Sequence, residues 1–512
     1  MVVAHLLTEW ASVRCWFLDS QISQARKPIS GDPEMGFLLC DVPILLGLLR
    51  SRALKPPFDI SGDLDTPVSA FMKLAAFEPR FLLESVEGGE RLARYSFIGF
   101  GDGLEVKLDR DGLTIGRERR AVPADSVELL KGLRDALKLA PSPQPDIAGV
   151  PLAGGLVGYS SYDVVRFFER LPARIQSGTP ALHYIAPRSL LVFDHLTRGI
   201  ALVHAGTEEE RRSLRKEVIR ALHGALPNGR RPGRYSQPTG SFARNDYLAG
   251  VKRTQEYIAA GDVYQLVLSA KFSGRHELDP FQAYRALRLI NPSPYMYYCA
   301  LGDVTVVGSS PEALVKLKGG RAQLRPIAGT RPRSDDVATD VAREAELRAD
   351  PKENAEHVML VDLARNDLGR VARAGSVRVE PYRAIERYSH VMHIVSGVHG
   401  ELAPQCDAFD LFAAAFPAGT LVGAPKVRAM QIIDELEPTN RGLYGGTVGY
   451  FGAGGDMDHA ITIRTLVFNG DEYSFQAGAG IVADSVPETE YEEVLAKSGS
   501  MVRGLEMVES GL

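Results

Sequence analysis

At 512 residues the chain is long enough for two or three domains, or for one large two-lobed unit, with ample sequence to bury a core. Hydrophobic residues make up 45%, charged residues 24%, and the net charge is −5, the profile of an ordinary soluble globular protein with no basic excess for nucleic acid. No run approaches the roughly 18 apolar residues of a membrane span. The four cysteines, Cys15, Cys40, Cys299 and Cys406, lack CxxC spacing and are too few for a disulfide framework, so a reducing cytoplasm is expected.

Residues 1–58 read as an N-terminal extension of unknown role. DVPILLGLLRSRAL has the pattern of a short helix, but its surroundings are polar and broken, and the start lacks the basic n-region of a signal peptide. Residues 59–225 are regular. PVSAFMKLAAF predicts a helix after Thr66, and FLLESVEGGERLARYSFIGF reads as strand, Gly turn, strand. GLEVKLD and LTIG form a hairpin around Asp109 to Gly112, and SVELLKGLRDALKLA is amphipathic at helical spacing. GGLVGYSSYDVVRFFE enters another helix, SLLVFDH pairs with GIALVHA, and EEERRSLRKEVIRALHGAL is a charged helix.

LPNGRRPGRYSQPTGS, residues 226–241, reads as a surface linker. Residues 242–508 open with a helix near Asp246 that sets Tyr247, Val251, Thr254 and Ile258 on one face and ends at Gly261. VYQLVLSAKF, YMYYCAL, VTVVGSS, ALVKLKG and AQLRPIAGT follow as strands; VRVEPY, HVMHIVSGVHGEL, GGTVGYF, ITIRTLVF and YSFQAGAGIVADS follow later. So many hairpin-spaced strands with few long helices predict antiparallel sheets covered by helices, an α+β architecture. The GAGG at Gly452 to Gly455 is a hairpin turn, and no GxGxxG or Walker pattern occurs.

Between those strand groups lies KENAEHVMLVDLARND, Lys352 to Asp367, which predicts a largely buried helix. Glu353 and Glu356 stand one turn apart on the stripe that continues through Leu360 and Leu363. Two readings are open: a first turn that protrudes into water, with Glu favoured by the helix dipole, or a carboxylate pair that binds a hard cation. DSVPETEYEEVLAKSGSMV strengthens the second. Ser485 is read there as a helix cap, which again sets Glu490 and Glu493 one turn apart with Lys497 on the same face. Two helices that each offer two acids beside an ammonium suit Mg2+ and an anionic ligand.

Other signals are weaker one by one. FPAGTLVGAPKVRAMQIIDEL is a Gly-rich loop that enters a helix, where free N–H groups attract anions and Lys426 and Arg428 add charge. PIAGTRPR, around Gly329 and Thr330, is a tight turn with basic residues. Arg464, within the ITIRT strand, needs an anionic partner or an outward face. His393 is either a satisfied core histidine or a proton-transfer group.

Taken in order, GSSPE, PIAGTRPR, HVMLVDLARND, RYSHVMH, FPAGTLVGAPK, YGGTVGYF, IRT, QAGAGIV and PETEYEEVLAK are similar to the motif series of the chorismate-utilising enzymes. Over about residues 60–508 the chain most resembles anthranilate synthase component I. The resemblance implies a sandwich of large antiparallel sheets with helices outside. It implies conversion of chorismate and ammonia, through 2-amino-2-deoxyisochorismate, to anthranilate and pyruvate. By matching motifs, Glu353, Glu356, Glu490 and Glu493 would surround one Mg2+, some through water. Glu312 would protonate the departing 4-hydroxyl, His393 would serve pyruvate elimination, and Tyr444, Arg464, Gly478, Gly480 and Lys497 would hold the chorismate carboxylates. Gly329, Thr330 and Thr420 would line the pocket.

Within the family, isochorismate and salicylate synthases carry a lysine where this chain has Gln265, and the makers of 4-amino-4-deoxychorismate usually carry one where it has Ala328. Both positions favour amination at ring carbon 2. No cysteine sits in a GxCxGxQ glutaminase turn, so the resemblance implies ammonia from a separate glutamine amidotransferase subunit in a hetero-oligomer. Leu83, Glu84 and Ser85, with Asn291, Pro292, Ser293, Pro294, Tyr295 and Met296, match the family's regulatory pocket and imply feedback inhibition by L-tryptophan. Residues 59–225 would be that regulatory region and 242–508 the chorismate-binding one. Val422 and Ala496 depart from the family's usual serine and asparagine. The competing expectations are an aminodeoxychorismate synthase subunit and a catalytically silent tryptophan sensor.

Overall fold

A computed structural model describes residues 56–87, 91–92, 94–172, 178–227, 233–388 and 391–512. The N-terminal extension up to residue 55, where a short helix was expected, and residues 88–90, where a Gly turn was expected, lie outside the described residues. Local rules hold where short-range chemistry decides. Thr66 caps the helix Pro67–Lys73 with a reciprocal bond to Ser69, Asp125 caps Ser126–Leu139, and Thr207 with Glu210 closes a capping box on Glu208–Leu222. Arg244–Ala259 buries Tyr247, Val251 and Thr254 and is followed by Gly261 at φ +82.

The strands build two large sheets in which every pairing is antiparallel. In the first, Phe81–Glu84 and Tyr95–Phe100 adjoin Tyr295–Leu301 and Val304–Ser310, which continue through Thr465–Asn469 and Glu472–Ile481 to Gln265–Arg275. In the second, Gly155–Ser160 pairs with Thr447–Gly452, so that Val157 faces Tyr450. Strands from before and after the 226–241 segment therefore share both sheets, and Thr239–Gly240 of that segment is itself an edge strand on Gln265–Arg275.

Period-two alternation sorts the strand side chains into layers. Phe81, Tyr297, Cys299 and Val306 of the first sheet meet Val157, Tyr159, Val448 and Ala460 of the second in a core between them. Leu82, Ile98, Met296 and Phe468 point the other way, under helices that supply Phe71, Tyr284, Leu287 and Leu505. Helices that carry Leu133 and Phe412 cover the second sheet's far face, and the helix that carries Ile433 packs on Gln265–Arg275 of the first. Among the described residues no helix is long and apolar enough to cross a membrane.

Several local expectations are corrected. Val486, not Ser485, precedes the helix Pro487–Glu509; Ser485 Oγ instead accepts the Val482 N–H at 3.0 Å and closes the turn before it. GGLVGYSSYDVVRFFE is a strand followed by a 3-10 turn, Tyr162–Phe167. PIAGTRPR is no free turn: Ile327–Pro332 is a strand, bulged between Ala328 and Thr330, with Gly329 at φ +69. Arg464 lies between strands, at φ +49. The helix Pro351–Gly369 is half-buried, with Val358 in solvent and His357, Leu360, Val361 and Ala364 inward.

Candidate active site

Segments far apart in sequence converge on one cavity of about 360 Å³. Gln265 comes from a central strand, Glu312 follows the strand Val304–Ser310, and Thr420 sits in the short turn Gly419–Leu421. Glu356 reaches it from one helix, and Glu490, Glu493 and Lys497 from another; Tyr444, Arg464, Gly478 and Gly480 complete the wall.

Glu312 is the most perturbed acid here. Burial pushes its carboxyl up to about 7 against the opposing pull of the Thr420 hydrogen bond, Lys497 and Arg464, and Thr420 Oγ1 donates to Glu312 Oε1 at 2.8 Å. Arg464 faces inward, its pKa lowered by burial and partly restored by Glu312. A non-glycine residue at positive φ beside such a group is strain concentrated where chemistry is placed.

Gly478 and Gly480 occupy one face of Glu472–Ile481, where a Cβ would collide. At Gly478 it would stand 2.7 Å from the Tyr444 hydroxyl and 2.9 Å from the Leu268 carbonyl; at Gly480, 2.6 Å from Gln265 Nε2. Bare backbone is what lets Tyr444 and Gln265 lie across this strand.

The acids are unequally placed. Glu356 and Glu490 have raised pKa values, first from burial and then from repulsion by neighbouring glutamates, Glu493 acting on both, while Gln265 Nε2 donates to Glu356 at 3.3 Å. Glu493 is paired with Lys497 at 2.6 Å, and Lys497 also donates to the Gly478 carbonyl. Glu353 does not line this cavity; Arg331, which also binds Asp350 and Glu346, takes its carboxylate at 3.2 Å. The expected ring of four carboxylates is therefore not gathered, and among the described residues no three His, Cys, Asp or Glu side chains stand close enough to hold a metal ion. Cations of the chain itself, Arg331 and Lys497, draw two of the four acids aside. The donor set still fits a hard divalent ion, since Mg2+ takes one or two carboxylates and completes its shell with water and substrate oxygens.

Gly329, Thr330 and His393 form a second group beside the cavity. His393 Nδ1 lies 2.9 Å from the Gly329 carbonyl and 3.1 Å from Thr330 Oγ1. A carbonyl only accepts, so Nδ1 carries the proton and Nε2 keeps its lone pair. Burial lowers the His393 pKa, which favours this neutral form. Ala328 is buried opposite Ile394, Val422 is fully buried among apolar residues, and Ala496 is exposed.

Sequence reading missed the support beneath the site. Arg441 and Glu437 are almost wholly buried and paired at 2.7 Å. Arg441 also donates to the carbonyls of Leu421 and Val267, and Glu437 accepts from the backbone and hydroxyl of Ser269. The pair thus ties the Thr420 turn to the Gln265 strand. Its four-residue spacing past the helix Lys426–Leu436 was the available signal. Arg441→Leu takes the arginine counter-charge from the buried Glu437 carboxylate, and is expected to cost about 3–5 kcal/mol, read as a lower denaturant midpoint. His357, fully buried with Nε2 2.7 Å from Ser396 Oγ, was also missed. Lys426 and Arg428, offered above as anion binders, are engaged by Asp367 and Asp262.

The two segments matched above to the family's regulatory pocket also meet. Glu84 and Met296 are cross-strand neighbours, and Leu83, Glu84, Ser85, Pro294, Tyr295 and Met296 line a separate cavity of about 540 Å³. Asn291, Pro292 and Ser293 do not line it; Asn291 and Ser293 bond Ser309 behind it.

Residues 78–503 match the family model of the chorismate binding enzymes, and the chain belongs to that family. It is 46% identical to anthranilate synthase component 1 of Thermus thermophilus, over 88% of this chain and 97% of the relative. It is 44% identical to the protein of the same name from Pseudomonas aeruginosa, over 89% and 96%. These relatives place it in the anthranilate synthase component I branch. The crystal structure of anthranilate synthase component I from Streptococcus pneumoniae superposes with a TM-score of 0.72 at 34% identity, covering 86% of this chain and 98% of that one.

Proposed function

We propose that this enzyme aminates chorismate with ammonia at ring carbon 2 and then eliminates pyruvate to release anthranilate. The observation that carries this reading is Glu312, a carboxyl able to keep its proton near neutrality, set in one cavity with Glu356, Glu490 and Glu493. Glu312 donates its proton to the departing 4-hydroxyl, which leaves as water. Ammonia attacks ring carbon 2 beside Gln265, an amide that orients a nucleophile without deprotonating it. Tyr444, Arg464, Lys497 and the backbone at Gly478 and Gly480 hold the substrate carboxylates. His393, fixed through Nδ1, takes a proton at Nε2 during pyruvate elimination.

Glu356, Glu490 and Glu493 would hold Mg2+, with Glu353 behind them. When bound, the ion supplies positive charge to the ring carboxylate. Ammonia arrives from a cytoplasmic glutamine amidotransferase partner, and the 540 Å³ cavity takes L-tryptophan as inhibitor.

The purified chain, given chorismate, Mg2+ and ammonium, should produce fluorescent anthranilate; a 4-amino product in its place refutes this reading. Glutamine should replace ammonium only once a partner subunit is added. Gly478→Ala, whose Cβ meets the Tyr444 hydroxyl and the Leu268 carbonyl, is expected to raise the chorismate KM by about tenfold or more, in line with the 1–3 kcal/mol of an overpacked site. Ser85→Phe, which fills the other cavity, should raise the tryptophan concentration needed for half inhibition by about tenfold.

A further inference from the structure

His393 stands in neither of the two large sheets. It lies on Val391–Val395, the middle strand of a separate three-stranded sheet flanked by Ile327–Pro332 and Ala384–Arg387. The carboxylate helix Pro351–Gly369 is fixed by other means, since Val361, Ala364 and Leu368 set it into the main core. The small sheet packs through a cluster of its own, in which Ile385, Met392 and Ile394 meet Leu347 of the preceding helix, Val337–Ala349. Where His393 stands against the chorismate cavity therefore depends on how this sheet is joined to the carboxylate helix.

Polar contacts make the joint. Arg331 holds Glu353, the Arg383 guanidinium donates to Asn354 Oδ1, and Ser396, just past the His393 strand, meets His357. The last contact is the buried one: His357 and Ser396 are each 0% exposed, with Nε2 2.7 Å from Oγ. Ser396 Oγ also accepts the backbone N–H of Arg383 at 2.9 Å, which leaves its hydroxyl proton for His357 Nε2. One hydroxyl thus ties the helix both to the end of the His393 strand and to the corner at Arg383, φ +53, where the outer strand begins. Glu356 of the cavity wall immediately precedes His357, and His393 stands three residues before Ser396.

We propose that His357 and Ser396 are positioning residues that hold His393 in register with the chorismate cavity for the elimination step. The proposal rests on the role given to His393 in pyruvate elimination. Neither side chain lines the cavity, so both act through His393 and not on the substrate. A reacting group displaced by about 1 Å can lose about a hundredfold in rate. Loss of the joint shifts the small sheet and spares the helix, which keeps its apolar seat in the core. Glu312 and Gln265, carried by segments of the first large sheet, stay in place. Amination therefore continues, and the aminated ring escapes before pyruvate is expelled.

The test gives the full chain chorismate, Mg2+ and ammonium chloride, and measures by chromatography the chorismate consumed, the 2-amino-2-deoxyisochorismate released and the anthranilate formed. Ser396→Ala and His357→Leu are expected to raise the ratio of released intermediate to anthranilate by about tenfold or more, with chorismate consumption within about threefold of wild type. His357→Gln, whose amide reaches the Ser396 hydroxyl, should restore most of the wild-type ratio. If His357→Leu unfolds, Ser396→Ala, smaller by one oxygen, decides. Consumption and anthranilate that fall in step at an unchanged ratio make the joint a plain stability element and overturn the proposal, and so does a wild-type ratio at wild-type rate. Unimpaired anthranilate formation by His393→Ala overturns the role given to His393, and the positioning role with it.

Discussion

Glu312→Gln is expected to lower turnover of chorismate by about 10²–10⁴-fold, the usual contribution of a positioned general acid, while chorismate binding changes little. Glutamine keeps the shape and still accepts the Thr420 Oγ1 hydrogen bond, but has no proton to give. In the wild type, burial holds the Glu312 pKa near 7, so turnover should fall as pH rises above neutrality and the acid form is lost. Stability must follow the same group. The folded pKa lies above the ordinary 4.5, so the folded state binds this proton more tightly than the unfolded state. The stabilisation is complete below about 4.5 and is lost as pH climbs towards 7, a swing of roughly 3 kcal/mol that Glu312→Gln removes. Activity of Glu312→Gln at wild-type level would exclude the general-acid role, and a wild-type unfolding profile flat between pH 5 and 7 would exclude the shifted carboxyl.

Glu356→Ala should reduce turnover by about a hundredfold or more and weaken binding of Mn2+, used as a spectroscopic stand-in for Mg2+, by at least tenfold. Glu356 is held in a place where burial and the charges of Glu353 and Glu493 all oppose its ionisation, opposed in turn by Lys352. A divalent ion relieves that repulsion, which is the physical case for these acids sharing one. Glu493→Ala should behave alike, with Lys497 freed from its 2.6 Å partner. Undiminished turnover together with unchanged Mn2+ affinity in either variant would remove the metal assignment. Loss of turnover with Mn2+ affinity intact would assign the glutamate to substrate positioning instead.

Much of this site was legible before any coordinates. Hairpin spacing and alternating hydrophobicity announced the antiparallel sheets, because a strand's two faces meet different environments and its composition records that. The acid pairs at Glu353 and Glu356 and at Glu490 and Glu493 stood out because carboxylates one helical turn apart on a partly apolar face need a reason to be there. Other features were illegible. The Arg441–Glu437 pair was passed over, because burial of an ion pair depends on what packs over it. Arg464 read as a strand residue, whereas its positive φ follows from the turn the chain makes at the cavity wall.

Sequence by itself determined most of the element types, the caps at Thr66, Asp125 and Thr207, and the membership of the chain in its enzyme family, since each depends on residues close together or on ordered motifs. Only the tertiary structure decided that both sequence halves thread through the same two sheets, that Glu312 lies close enough to Thr420 to be held by it, and that Glu353 turns to Arg331 and away from the cavity. The reason is range. Local preference follows from neighbours a few positions apart, whereas a carboxyl's protonation and its partners are set by groups brought near from a hundred residues away and by the water they exclude.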